Sequence, residues 1–112
     1  MSEEELVDAL KAVAHPVRLR ILRALSGVER NVGEIDEEAA IGQPTLSQQL
    51  AVLRNAGVVI TRKEAKLVFY RIDEKKTAQL SAAIGGLAGM EAAIAASPHR
   101  PAAGVASFAR LA

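Results

Sequence analysis

The chain has 112 residues, room for one domain, and half of them are apolar. Only Phe69, Tyr70 and Phe108 are aromatic, so the core has to be assembled from Leu, Ile, Val and Ala, and pairing with a second copy would extend so thin a core. Cysteine is absent, which excludes disulfides, thiolate metal sites, thiol redox switches and cysteine nucleophiles.

The N-terminus is acidic at Glu3, Glu4 and Glu5, where a secretory signal would be basic. No apolar run reaches the ~18 residues that suggest a membrane span, so the expectation is a cytoplasmic protein. Ser2, with Glu5 three residues on, has the spacing of a capping box and predicts a helix over about 2–14, carrying Leu6, Leu10 and Val13. His15-Pro16 breaks it, and Pro16 suits the first turn of a second helix, about 16–26, closed by Gly27. Asn31 is placed to cap a short helix over 32–39, with Val32, Ile35 and Ala39 apolar.

After the turn Ala40-Ile41-Gly42-Gln43, a fourth helix is predicted over 44–56, with Leu46, Leu50 and Leu53 on one stripe and Gly57 at its end. Val58–Thr61 and Leu67–Ile72 are β-branched and aromatic, and flank Arg62-Lys63-Glu64-Ala65-Lys66, which reads as a two-stranded hairpin with a basic tip. A last helix follows over about 74–96, locally weakened by Gly85, Gly86 and Gly89. Residues 97–112 read as a tail with a short helix near 102–111, outside a domain of residues 1–96.

Charge is distributed unevenly. Residues 1–40 carry five Lys or Arg against nine Asp or Glu, a balance of −4, whereas residues 41–76 carry seven against three, a balance of +4. A basic middle on an acidic chain suits a surface that meets a polyanion, although a solvated charged hairpin accounts for the same fact.

The four-residue turn with glycine is what lets the helices over 32–39 and 44–56 cross steeply. Opposite Leu46, Leu50 and Leu53, the start of the second helix presents Pro44, Thr45 and Gln48, flanked by Ser47 and Gln49. Amides and hydroxyls both donate and accept, as reading base edges requires, and the start of the second helix is where such units reach bases. Arg62, Lys63 and Lys66 on the hairpin supply cations for phosphates. A helix-turn-helix followed by such a hairpin is a winged helix-turn-helix, mainly α with a β-hairpin wing.

Several blocks in order resemble the ArsR (ArsR/SmtB-type) family of winged-helix repressors, in its branch of sulfide-responsive and biofilm-growth regulators. They are Ala14 to Leu22 (AHPVRLRIL), Val32 to Ile35 (VGEI), Gln43 to Val59 (QPTLSQQLAVLRNAGVV), Arg62 to Lys66 (RKEAK) and Phe69 to Ile72 (FYRI). The resemblance spans about residues 5–90. It implies a homodimer built by the first and last helices and an inverted-repeat DNA operator, with repression relieved by an inducer that the sequence does not name. It also implies that Gln43, Thr45, Ser47, Gln48 and Gln49 form the base- and phosphate-contacting set, with Arg62 and Lys66 as wing contacts.

The chain departs from its resemblance in its sensing chemistry. Arg23 and Gly89 stand about where thiol-sensing members have cysteines. The last helix offers Asp73, Glu74 and Glu91 without histidine, so no metal or cofactor is expected. His15 reads as a cap and His99 stands alone in the tail, while Glu34, Asp36, Glu37 and Glu38 read as a solvated acidic face. No nucleophile with a base and no phosphate-cradling loop can be assembled, so an enzyme is not expected. The rival reading is a winged-helix interaction module that dimerises without reading an operator.

Overall fold

A computed structural model describes residues 1–89 of the chain. It has a compact body, Met1–Leu80, and a second unit beginning at Ser81. Ser2 caps α1 (Glu3–Val13) with both bonds of a capping box: its hydroxyl accepts from the Glu5 amide at 3.1 Å, and Glu5 Oε1 accepts from the Ser2 amide at 2.9 Å. His15 caps α2 (Pro16–Ala24), its Nδ1 accepting from the Val17 amide at 3.1 Å, so this histidine has the capping role read from its position before proline. Asn31 and Glu34 repeat the capping box on α3 (Val32–Ala39). The next helix, α4, runs Thr45–Asn55.

Strands β1 (Arg30–Asn31), β2 (Val59–Glu64) and β3 (Leu67–Ile72) form an antiparallel sheet in the order β1-β3-β2. This corrects the two-stranded expectation in two ways. Two residues ahead of α3 add a third strand on β3, pairing Arg30 with Tyr70 and Asn31 with Phe69. The hairpin ladder also continues through Arg62, Lys63 and Glu64 to pair Glu64 with Leu67, which leaves only Ala65-Lys66 as the turn. A stretch of charges looks like a loop by composition, but each of these residues gains a ladder partner.

Helix α5 (Glu74–Leu87) starts where Asp73 Oδ1 accepts from the Lys76 amide at 3.1 Å. It ends at Leu87, where the expected helix was to continue, with Ala88 in a turn and Gly89 at φ 72 just beyond. Residues 90–96, the tail over 97–112 with its expected short helix, Glu91 and His99 lie outside the described residues.

The interior of the body is aliphatic. Ile21, Leu25, Ile35, Leu46, Leu50, Leu53, Val58 and Val59 are each at most 2 % exposed, with Ala9, Ala12 and Ala39 filling the closer contacts. No polar or charged side chain is buried among the described residues. That assigns every polar group to a surface or a helix end.

The C-terminal carbonyls of four helices each receive a cation from elsewhere in the chain. Arg18 donates from Nε to Ala12 O and from Nη2 to Lys11 O on α1. Arg30 Nε donates to Ala24 O at the end of α2 (2.8 Å), and Arg20 Nη2 to the carbonyls of Ala39 and Ala40 at the end of α3. Lys76 Nζ lies 3.5 Å from Ala56 O at the end of α4. Orphan carbonyls at the negative end of a helix dipole are where a cation is stabilising, and these bonds tie α2 to α1 and α3, β1 to α2, and α5 to α4.

Candidate nucleic-acid interface

The turn between α3 and α4 sets how α4 is presented. Ala40 adopts the left-handed conformation (φ 53, ψ 54) and Gly42 stands at φ 86. Asp36 Oδ1 accepts from the amides of Ile41 at 2.8 Å and Gly42 at 2.9 Å, and these two bonds hold its carboxyl below the usual aspartate range. Arg20 grips the same turn from α2 through the carbonyls of Ala39 and Ala40. Asp36 thus has a specific role that a solvated acidic face did not anticipate. The sequence signal was an acid in the last turn of a helix, where the dipole disfavours it unless amides are aimed at it.

Leu46, Leu50 and Leu53 of α4 are buried against the core, which turns the opposite stripe outward. Thr45, Ser47 and Gln48 are exposed, and their side chains make no hydrogen bond among the described residues. Ala51, Arg54 and Asn55 continue the exposed surface along α4.

Two of the amides expected on that surface are occupied within the protein. Gln43 Oε1 accepts from the Ser47 amide at 3.2 Å, satisfying a first-turn donor that Pro44 has no side chain to cap. Gln49 is half-buried, and its Oε1 accepts from Arg18 Nη1 at 2.8 Å, so one arginine ties α1, α2 and α4 together. At 100° per residue Gln49 falls on the flank next to the buried stripe, and a nearby guanidinium settled which way it turned.

On the hairpin, side chains alternate between faces, so Arg62 and Lys63 point to opposite sides of the sheet. Lys63 and Lys66 are exposed and unpaired among the described residues. Arg62 is not on a loop. It lies on the outer face of β2, stacked over its cross-strand partner Phe69 with the guanidinium carbon 4.6 Å from the ring centroid. Its Nη2 and Nε lie 2.7 and 2.8 Å from Glu29 Oε1, and its Nη1 lies 2.7 Å from Glu64 Oε1. These partners make Arg62 hold its proton more tightly than an ordinary arginine, and its hydrogen bond to Glu29 lowers that carboxyl's pKa. Among the described residues no three His, Asp or Glu side chains converge as a metal site, and no helix is long and apolar enough to cross a membrane.

Two helices joined by a tight turn, the second turning an amide and hydroxyl face outward, beside an antiparallel hairpin with a lysine tip, define a winged helix-turn-helix protein. Residues 15–61 match the description "bacterial regulatory protein, arsR family". The biofilm growth-associated repressor of Xylella fastidiosa is 51% identical over 76 residues, which cover 68% of this chain and 67% of that protein. The transcriptional activator HlyU of Vibrio cholerae is 49% identical over 66 residues, 59% of this chain and 61% of that one. The crystal structure of the transcriptional repressor BigR from Xylella fastidiosa shares the fold with a TM-score of 0.61 at 48% identity, covering 75% of this chain and 86% of that chain. The chain belongs to the bacterial ArsR family, and is a transcriptional regulator and not an enzyme.

Proposed function

We propose that two copies of this cytoplasmic chain bind an inverted-repeat operator and repress transcription from it, with α4 in the major groove and the β2–β3 hairpin as the wing. One observation carries the reading. Thr45, Ser47 and Gln48 stand on the outer face of the first turns of α4 with side chains that make no hydrogen bond among the described residues, while the opposite face is locked into the core. An uncommitted carboxamide can pair with an adenine edge, and the hydroxyls serve bases or phosphates. Lys63 and Lys66 add phosphate contacts that raise affinity without reading sequence.

Gln43 and Gln49 serve this surface indirectly in the unbound protein, the first by capping α4 and the second by bracing it against Arg18. Val7 on α1 and Ile84 and Leu87 on α5 are large apolar side chains left at least 40 % exposed in the single chain, and a second copy pairing through the first and last helices would cover them. Two-fold symmetry then places half-sites about one duplex turn, ~10 base pairs, apart. An inducer acts on such a pair only by binding its two arrangements unequally.

Selection of bound sequences from a random DNA pool by the purified protein tests the reading, and a palindromic consensus is expected. Gln48→Ala should then weaken binding to the selected site by about 1–3 kcal/mol, the worth of one paired base contact, and leave mixed-sequence binding nearly unchanged. A pool that yields no consensus supports instead an interaction module that dimerises without reading DNA.

A further inference from the structure

The wing arginine is already occupied, and what occupies it is chemically a stand-in for phosphate. A guanidinium has five N–H donors. Glu29 takes the Nε–Nη2 edge, the one that matches a bidentate oxyanion, and Glu64 takes Nη1. Both Nε and Nη2 converge on a single oxygen of Glu29, whereas a phosphate could offer that edge two. The Phe69 ring holds the guanidinium plane against the sheet from below, so its orientation is set independently of the anion that fills the edge. The pair is open to exchange, because the Arg62 side chain is 49% and that of Glu29 27% exposed, and ion pairs at that exposure are weakly held. With both carboxylates ionised, Arg62, Glu29 and Glu64 together carry −1, although the hairpin by composition is basic.

We propose that Arg62 is a preformed DNA-phosphate site that Glu29 fills in the free protein, so that Glu29 acts as a competitor built into the approach to β1 and sets how strongly the wing holds DNA. This rests on the DNA-binding reading above and adds to it a residue outside both the reading helix and the hairpin. On a duplex, a phosphate takes the Nε–Nη2 edge and Glu29 swings to solvent. The wing's contribution to affinity is then smaller than Arg62, Lys63 and Lys66 together imply, by the cost of displacing one carboxylate.

Binding of a mixed-sequence DNA duplex, followed by fluorescence anisotropy over a salt series, tests this without knowledge of the operator. Glu29→Gln should tighten binding several-fold at low salt with a nearly unchanged log–log salt slope, since a phosphate takes the Arg62 edge in both proteins, whereas Arg62→Ala should lower that slope by about 0.9, the value for one lost phosphate contact. Glu64→Gln should do the same to a smaller degree. In an Arg62→Ala background the Glu29→Gln gain should vanish, and Glu37→Gln, which removes an exposed acid that makes no ion pair with Arg62, should not reproduce it. No tightening in Glu29→Gln, an equal gain in the Arg62→Ala background, or an unchanged slope in Arg62→Ala overturns the competitor role and leaves the DNA reading standing. Absence of salt-dependent duplex binding by the unaltered protein overturns both.

Discussion

Asp36 and Arg20 grip the turn before α4 from opposite sides, one holding its amides and the other its carbonyls. The Asp36 bonds are charge-assisted, and they depress its pKa below the ordinary value near 3.9. A carboxyl depressed in the folded state contributes stability that is complete above the unfolded value and is lost as pH falls through the folded one, so the window lies below about pH 4. Glu5 is lowered mainly by its bond from the Ser2 amide and Glu29 mainly by its hydrogen bond from Arg62, and both act in the same direction. Asp36→Ala should therefore lower the thermal midpoint at pH 7 and differ progressively less from the unaltered protein as the pH is brought down to 3. A difference that persists undiminished at pH 3 would show that the lost charge was not the cause. The residue types at this surface were readable in advance. Gln43, Gln49 and Arg62 carried the right chemistry, but only the positions of Ser47, Arg18 and Glu29 showed that each was already partnered.

Among the elements, helices were the most legible because their ends are punctuated: Ser2 with Glu5, His15-Pro16, Asn31 and Gly57 each mark a boundary that the structure places within a residue or two, whereas the part Glu34 plays in the cap of α3 was missed. The sheet was less so. A two-residue strand such as β1 has no periodicity to detect, and Arg62-Lys63-Glu64 extends β2 because cross-strand pairing with β3 supplies what composition withholds. The joint between α3 and α4 carries a residue that geometry disfavours, since Ala40 is left-handed where glycine is at ease. Relief of that strain outweighs the added freedom of the unfolded chain, so Ala40→Gly should stabilise the fold by about 0.5–1 kcal/mol in a denaturant titration, with unchanged slope. A neutral or destabilising result would mean that the alanine methyl makes a contact worth more than the strain. The shortening of α5 at Leu87 belongs to the same scale: glycines at 85, 86 and 89 crowd one helix end, and Gly89 at φ 72 leaves helical geometry.

For the whole molecule, the buried core of the body is aliphatic with Tyr70 packed against it, and large apolar side chains stay exposed at Val7 on α1 and, in the second unit, at Ile84 and Leu87 on α5. If a second copy covers them, stability must depend on mass action, and the thermal midpoint should rise with protein concentration. Val7→Asp, which places a charge on the exposed α1 position, should abolish that rise and reduce operator affinity together. A concentration-independent midpoint for the unaltered protein would remove the two-fold pair and the inverted repeat with it.

The order of the helices and the hairpin, most of the caps, the leucine stripe of α4 and the membership of the family were written in local pattern. Hydrophobic period and capping chemistry act between residues at most a few positions apart, which is why the chain alone determined them. Which polar side chain is free to meet a partner is decided at longer range. Arg18 finds Gln49 across 31 positions and Glu29 finds Arg62 across 33, and such meetings exist only once the helices and strands have packed.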